Sequence, residues 1–117
     1  MTTKKPKELH WTLHARAKMN HYRLSPSRVR HVLHAPRRVE EGVAPKTVAM
    51  MQPVSPKRVF GKQGGKGETW TQEIWVMVQD DRKARKVISA WRYPGITKAR
   101  TPAFLRREYS EFLSGIK

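Results

Sequence analysis

The chain has 117 residues, which is enough for one small domain with a single hydrophobic core. It carries 25 Lys and Arg against 9 Asp and Glu, a formal net charge of +16 at pH 7, so an acidic partner such as nucleic acid is expected. The absence of cysteine excludes disulfides, thiolate metal sites and a cysteine nucleophile, and it fits a cytoplasmic protein. No apolar run reaches the length of a signal peptide or a membrane span, so no membrane partner is expected.

The first predicted elements are a basic arm and two helices. Residues 1–9 are rich in lysine and are predicted to form a flexible N-terminal arm. The pattern after Thr12, a helix-capping residue type, predicts a first helix over residues 13–22. In "LSPSRVRHVLHAP", Ser25 as N-cap and Pro26 at the first helical position predict a second helix that ends before the next proline. Its predicted buried face consists of Val29, Val32 and Leu33.

The centre of the chain predicts antiparallel strands. "RRVEEGV" and "KTVAMMQ" each predict a short strand. Residues 53–68 combine glycine, proline and lysine and predict a flexible basic loop, with at most a short strand at residues 58–60. "TWTQEIWVMVQD" alternates like a strand, which places Trp70 with Ile74 on one face and Trp75 on the other, one face being core. It is predicted to pair with "VISAWRY" as an antiparallel hairpin.

The C-terminal segment "TPAFLRREYSEFLSGIK" predicts an amphipathic helix that Thr101 caps and Pro102 opens. Its apolar residues are Phe104, Leu105, Phe112 and Leu113. The order of two helices, several strands and one helix predicts an α+β fold, with helices packed on one face of an antiparallel sheet. Residues 10–117 are therefore expected to form one domain.

Histidine and lysine on the first predicted helix are the leading candidates for chemistry. Residues four or seven apart on a helix share a face, so His14, Lys18 and His21 line one side. Histidine titrates near neutral pH, which suits general acid and base catalysis. The alternative interpretation is that these residues are only the solvated face of the helix.

Metal and nucleotide sites have weaker signals. The pairs His10 with His14 and His31 with His34 have metal-ligand spacing, but no third ligand is suitably spaced, so no metal or other cofactor is expected. The glycine-rich "FGKQGGKGE" does not match the phosphate-loop pattern and no helix pattern follows it. A nucleotide-binding fold is therefore not predicted.

Basic and aromatic residues are candidates for contact with RNA. Cations on a mobile loop can follow a phosphodiester backbone, and aromatic rings beside cations can stack on unpaired bases. The candidate RNA-binding residues are Arg16, Arg28, Arg30, Lys57, Lys62, Lys66 and Trp91. For Trp91, a place in the core is the alternative. A third interpretation places Arg28, Arg30 and His34 of the second helix in a DNA groove.

Three segments occur in the order typical of one bacterial family: "LHARAKM", "RLSPSRVRHVLHAPRRVEEG" and "VISAWRYPG". Over about residues 10–95 the chain resembles a domain family of unknown function allied to the RelE/ParE toxin superfamily. The resemblance implies two N-terminal helices packed on a roughly four-stranded antiparallel sheet, to which this chain adds a C-terminal helix. It also implies a protein antitoxin as a partner. The positions that match the family's motifs are His14, Lys18, Trp91, Arg92 and Tyr93.

The resemblance implies a metal-independent endoribonuclease. RNA supplies its own 2′-hydroxyl nucleophile, so cleavage needs a base, an acid and cations around the phosphorane. We assign His14 or His21 as the base, and Tyr93 or the other histidine as the acid. Lys18 and Arg92 are assigned as charge stabilisers. The expected function is cleavage of single-stranded or ribosome-associated RNA, and the alternative is a binding module that uses the same basic surface without catalysis.

Overall fold

A computed structural model of the protein describes residues 8–42, 44–60, 66–98 and 102–115. Its elements, in chain order, are β1 (Glu8–Trp11), α1 (Leu13–Tyr22), α2 (Pro26–His34), β2 (Arg38–Glu41), β3 (Thr47–Pro53), β4 (Lys57–Phe60), β5 (Lys66–Thr69), β6 (Gln72–Asp80), β7 (Ala84–Pro94) and α3 (Pro102–Ser114). Within the described ranges, the helices are all too short or too polar to cross a membrane.

Five strands form one mixed sheet in the order β1-β7-β6-β3-β2. The β1–β7 pair is parallel, whereas the β7–β6, β6–β3 and β3–β2 pairs are antiparallel. Strands β4 and β5 form a separate two-stranded antiparallel ribbon. The α+β class is therefore confirmed, but the prediction of a four-stranded antiparallel sheet is wrong. The predicted hairpin between the two longest strands is confirmed as β6 and β7.

Strand β1 is one of two strands that the sequence did not predict; the other is β5, which lies mostly within the predicted basic loop at residues 53–68. Four residues are too few to display a convincing alternation, and Glu8 and Leu9 were assigned to the basic arm. In the structure Leu9 and Trp11 pack against the core, while Glu8 and His10 are exposed. The Thr12 hydroxyl donates to the Val87 carbonyl at 2.8 Å, which ties the end of β1 to β7.

Helices α1 and α2 have the predicted bounds and caps. Thr12 Oγ1 accepts from the Ala15 N–H at 3.1 Å, and Ser25 Oγ accepts from the Arg28 N–H at 3.0 Å. Arg23 ends α1 in the left-handed conformation, with a φ of 55°. The second helix buries Val29 and Val32 completely and Leu33 in part, so its predicted buried face is confirmed.

Both faces of the sheet are covered, which corrects the prediction of helices on one face only. Helices α1 and α2 pack on one face, around a core that includes Val29, Ile74 and Val76. Helix α3 packs on the other face, where Leu105 joins a core that includes Trp75. Strand β6 is therefore buried on both faces from Glu73 to Val78. Trp70 precedes this strand and packs beside Trp75, so the prediction that it shares a face with Ile74 is wrong.

The predicted loop at residues 53–68 is partly regular. Residues 58–60 lie within β4, so the short predicted strand is confirmed, and Lys57 pairs with Thr69 across the ribbon. Helix α3 is confirmed as well, although the predicted cap at Thr101 lies outside the described residues, as does the side chain of Phe104. Leu105 is buried and Phe112 half-buried, but Leu113 is 50% exposed and does not belong to the buried face.

Candidate nucleic-acid interface

His14 and Lys18 lie one turn apart on α1 and face α3. The Lys18 ammonium is 2.9 Å from Glu111 Oε2 and 3.2 Å from Glu108 Oε2, and the Lys18 side chain is only 16% exposed. The His14 ring meets the Phe112 ring edge-on, with 5.9 Å between the ring centroids. The prediction that these two residues share a helix face is confirmed, but α3 covers this face and presents Glu108 and Glu111 to Lys18.

Glu108 is the buried acid of this contact. Its Oε2 atom also accepts from the Ser89 hydroxyl at 3.0 Å, so the carboxylate joins α1, β7 and α3. Burial raises the pKa of Glu108, and the charge of Lys18, which works to lower this pKa, does not outweigh burial. The hydrogen bond from Lys18 lowers the pKa of the more exposed Glu111. Burial works to lower the pKa of Lys18, but the bonds and charges of both glutamates outweigh it and raise the pKa.

Acidification should destabilise the fold through His14. Burial, and then the charge of Lys18, lower the pKa of His14 below its ordinary value of 6.5, and its buried Nε2 has no hydrogen-bond partner among the described residues. The unfolded chain therefore takes up this proton first, and stability falls as the pH drops from 6.5 toward the folded pKa. Between pH 7.5 and 5.5, we expect His14→Gln to lose less stability than the wild type in urea unfolding.

The control for this experiment is His21→Gln, because His21 is exposed on the same helix. The raised pKa of Glu108 acts in the opposite direction, since protonation of that carboxyl favours the folded state. Glu108 is present in all three proteins, so its contribution cancels in the comparison to first order. An identical pH dependence of stability in the wild type and His14→Gln would contradict the assignment of a neutral, buried imidazole.

The other predicted catalytic residues do not join the contact of His14 and Lys18 with α3. The exposed His21 ring is edge-on to Tyr22, with 4.7 Å between centroids. Arg92 Nε donates to the Tyr22 carbonyl at 2.8 Å on the face that carries α1 and α2. Tyr93, the next residue on β7, packs with the core on the face that carries α3. Because adjacent strand residues point to opposite faces, Arg92 and Tyr93 do not approach one phosphate from the same side.

A second group of predicted residues does form a continuous basic surface on α2. We define the α2 cationic surface as Arg28, Arg30, His31 and His34. Arg28 is half-buried and the other three are exposed, opposite the buried valines of the same helix. Among the described residues, none of the four forms an ion pair with a carboxylate. The carboxylates that pair with cations lie elsewhere, at Glu40, Glu68, Asp80, Glu108 and Glu111.

Helix α2 separates two surface depressions. The larger, of about 780 Å³, lies on the β1 side, and its lining includes Leu9, Arg30 and Arg85. The smaller, of about 480 Å³, is lined by polar residues that include Arg28 and Gln52, together with prolines. His31 borders both depressions and therefore stands at the crest between them.

Gln52 holds the side chains of Arg28 and His31 in place. It is buried, on β3, and its Oε1 accepts from Arg28 Nη1 at 2.6 Å and contacts His31 Nδ1 at 3.0 Å. Its Nε2 donates to the carbonyls of His31 and Ala35, at 3.1 and 2.7 Å. A single buried amide thus fixes the end of α2 and the orientation of two of its basic side chains.

One half-buried tryptophan, Trp11, lies beside the α2 cationic surface, and a second, Trp70, lies beside Arg37, which follows α2 and pairs with Glu68. The Arg30 guanidinium lies 5.4 Å from the centroid of the Trp11 ring, and the Arg37 guanidinium lies 5.8 Å from that of Trp70. Sequence reasoning did not select either ring as an RNA contact. It selected Trp91, which is 2% exposed and stacks on Trp75 with 6.0 Å between centroids. The RNA-binding prediction for Trp91 is therefore wrong for this structure, because a base cannot reach a buried indole.

The remaining predicted contacts are scattered. Arg16 is exposed on α1 and Lys57 is exposed on β4. Lys62 and the side chain of Lys66 lie outside the described residues. His10 is exposed on β1 whereas His14 is covered by α3, so that pair does not converge, and the described residues contain no cluster of three metal-ligating side chains.

Comparison with known proteins finds no relative: neither a protein-family model, nor a curated protein, nor a solved structure matches the chain. The resemblance to the RelE/ParE superfamily, with the antitoxin partner that it implies, therefore stays a prediction.

Proposed function

We propose that the protein binds RNA through the α2 cationic surface. The observation that carries this proposal is the absence of an acidic partner for Arg28, Arg30, His31 and His34 among the described residues. Arginine side chains without a carboxylate partner attract a polyanion, because its phosphates neutralise them and release counterions.

The charge of the whole chain supports a polyanionic partner. The net charge is +16, and the acids that form ion pairs in the structure neutralise other cations, such as Arg38 and Arg85. The α2 cationic surface is one place where basic side chains are left without a carboxylate partner among the described residues. A nucleic acid carries the complementary negative charge, and it repeats that charge along its backbone.

The pair of Arg30 and Trp11 favours RNA with unpaired bases. Trp11 and Trp70 each lie beside an arginine, and each retains part of its surface in contact with solvent. Single-stranded nucleic acids bind proteins by stacking bases on such aromatic and guanidinium planes, while cations hold the backbone. The Arg30 guanidinium beside the Trp11 ring is suited to that mode of binding.

Binding is favoured over cleavage as the activity of this conformation. The Lys18 ammonium is engaged by Glu108 and Glu111, so it is not open to a phosphate. Metal-independent cleavage stays a prediction from the family resemblance. It would require α3 to leave the side chains of His14 and Lys18.

Charge reversal at Arg30 tests the proposal. Arg30→Glu should weaken binding of a single-stranded RNA by about tenfold or more, because it removes a phosphate contact and adds repulsion. The logarithmic dependence of affinity on salt should become less steep by about 0.7 for each lost phosphate contact. Fluorescence anisotropy with a labelled oligonucleotide, repeated at several salt concentrations, measures both quantities.

The matched control is Arg106→Glu, since Arg106 is exposed on α3, on the opposite face of the sheet. It makes the same change in net charge and should alter affinity by less than about twofold, within the effect of long-range charge. Equal losses in the two variants would refute a local α2 interface. Tighter binding of the matching DNA would replace RNA by DNA as the partner, and cuts in end-labelled RNA in excess EDTA would establish cleavage.

A further inference from the structure

The hydrogen bonds of Gln52 assign the proton on His31. The Gln52 Nε2 atom faces two backbone carbonyls, which can only accept, so this atom must be the amide nitrogen and Oε1 must be the acceptor. His31 Nδ1, at 3.0 Å from Oε1, is therefore a donor and carries hydrogen in the neutral and the charged ring alike. The other ring nitrogen, Nε2, is the one left to contact a ligand.

Arg28 is held against the same oxygen. Its Nη1 atom is 2.6 Å from Gln52 Oε1 and 3.4 Å from His31 Nδ1, so the guanidinium and the imidazole stand side by side. A guanidinium has five N–H groups, and this bond uses one of them. The remaining donors of Arg28 and the Nε2 end of His31 have no carboxylate partner among the described residues.

A second arginine lies on the same face of the sheet. Gln52 pairs with Ile74, and Ile74 pairs with Arg92, so the three residues form a row across β3, β6 and β7. Arg92 is oriented by bonds to the Tyr22 carbonyl and to Gln72 Oε1, at 2.8 and 3.4 Å. Burial lowers the pKa of Arg28, and the charge of Arg92 adds to this effect, so the two guanidiniums are near enough to repel each other.

We propose that Arg28 and His31, held side by side by the buried Gln52, form a binding site for one phosphate group of RNA, with Arg92 as a second cation beside it. The site opens into the depression of about 480 Å³ that both residues line. An anion there relieves the repulsion between the guanidiniums and accepts their remaining N–H groups, as planar guanidiniums do with phosphates. This proposal rests on the proposed function, which it deepens by naming the point where one phosphate is fixed.

Two phosphate sources share this chemistry. The group is either an internal phosphodiester of the RNA chain or a phosphomonoester at its 5′ end. Binding of an internal phosphodiester fixes the register of the RNA backbone on α2, whereas binding of the terminal phosphate recognises the 5′ end of the RNA. The recognition groups are the same in both cases, so only the ligand can distinguish them.

The first experiment titrates inorganic phosphate into the full chain at constant ionic strength, with chloride as the balancing ion. Binding is followed through the ring-nitrogen resonances of His31 by NMR. We expect saturable shifts in the wild type and at least a tenfold loss of phosphate affinity in Arg28→Gln. Arg106→Gln, a change of equal charge on α3, should behave as the wild type. Resonances that respond to phosphate no more than to chloride would overturn the site.

The second experiment uses a 5′-hydroxyl RNA and the same RNA with a 5′-phosphate. Equal weakening of both RNAs by Arg28→Gln assigns an internal phosphodiester, and weakening of the phosphorylated RNA alone assigns the terminal group. If neither RNA responds to Arg28→Gln, the site is refuted even where Arg30→Glu still weakens RNA binding. Conversely, phosphate binding without RNA binding refutes the proposed function and leaves an anion site. Arg92→Gln provides a second variant, and it should weaken phosphate binding less than Arg28→Gln.

Discussion

Replacing Glu73 with glutamine is expected to destabilise the fold by about 3 kcal/mol, because it places an amide N–H₂ group against buried donors. Glu73 is fully buried on β6. One carboxylate oxygen accepts from the Trp70 indole at 2.8 Å and the Thr97 N–H at 3.2 Å, and the other accepts from the Trp75 indole at 3.0 Å and the Thr97 hydroxyl at 2.7 Å. Glutamine retains one acceptor oxygen, so two of these four donors lose their partner.

The loss should appear as a lower urea midpoint with little change in the slope of the unfolding transition. The control is Glu41→Gln, at an exposed position on β2, which should stay within about 0.5 kcal/mol of the wild type. Thr97→Val removes one hydroxyl donor but keeps the shape of the side chain and the backbone N–H, and we expect a smaller loss than for Glu73→Gln. Equal stability of Glu73→Gln and Glu41→Gln would show that the buried carboxylate does not organise this part of the fold.

Glu73 shows why the sequence alone missed an essential core residue. In "TWTQEIWVMVQD" the strand alternation predicts a glutamate on the face that contacts solvent. Helix α3 and the segment that includes Thr97 cover this face, and neither neighbour is adjacent to Glu73 in the sequence. The available signal was its place between two tryptophans, whose indole N–H groups need an acceptor when buried.

Local rules predicted the helices well because the determinants are local. Thr12, Ser25 and Pro26 specify the starts of α1 and α2 through bonds and dihedral angles confined to a few residues. Strand β1 has no such determinant. Its four residues are stabilised by register with Ala84 to Val87, which follow more than seventy positions later. A parallel pairing of this kind cannot be read from alternation alone.

The residues of the candidate site also fall into those that local sequence rules predict and those that they do not. The sequence identified Arg28, Arg30 and His34 as basic residues of one helix, and the structure leaves Arg30 and His34 exposed and Arg28 half-buried. It did not identify Gln52, because an amide that organises a basic cluster has no pattern of its own. It also could not show that Glu108 and Glu111 cover Lys18, since that contact joins residues more than eighty positions apart.

Replacing Lys18 with methionine is expected to cost about 2 kcal/mol of stability at pH 7, because it leaves the Glu108 carboxylate buried with the Ser89 hydroxyl as its remaining hydrogen-bond donor. The Glu108 side chain is 9% exposed, so water compensates little of the lost charge pair. Adding Glu108→Gln to this variant should restore much of the loss, since the neutral amide needs no counterion. A double-mutant cycle in urea measures this coupling, and Arg16→Met on the exposed side of α1 is the control.

The pH dependence of the Lys18→Met defect separates a structural from a catalytic lysine. Burial already raises the pKa of Glu108, and removal of the ammonium raises it further, so the carboxyl takes up a proton more readily as the pH falls. Protonation removes the buried charge, and the difference in stability between Lys18→Met and the wild type should therefore shrink toward pH 5. RNA affinity should stay near the wild-type value, because the ammonium faces α3. A variant that keeps full stability at every pH but loses cleavage of RNA would instead establish Lys18 as a catalytic residue, and would require α3 to move away during the reaction.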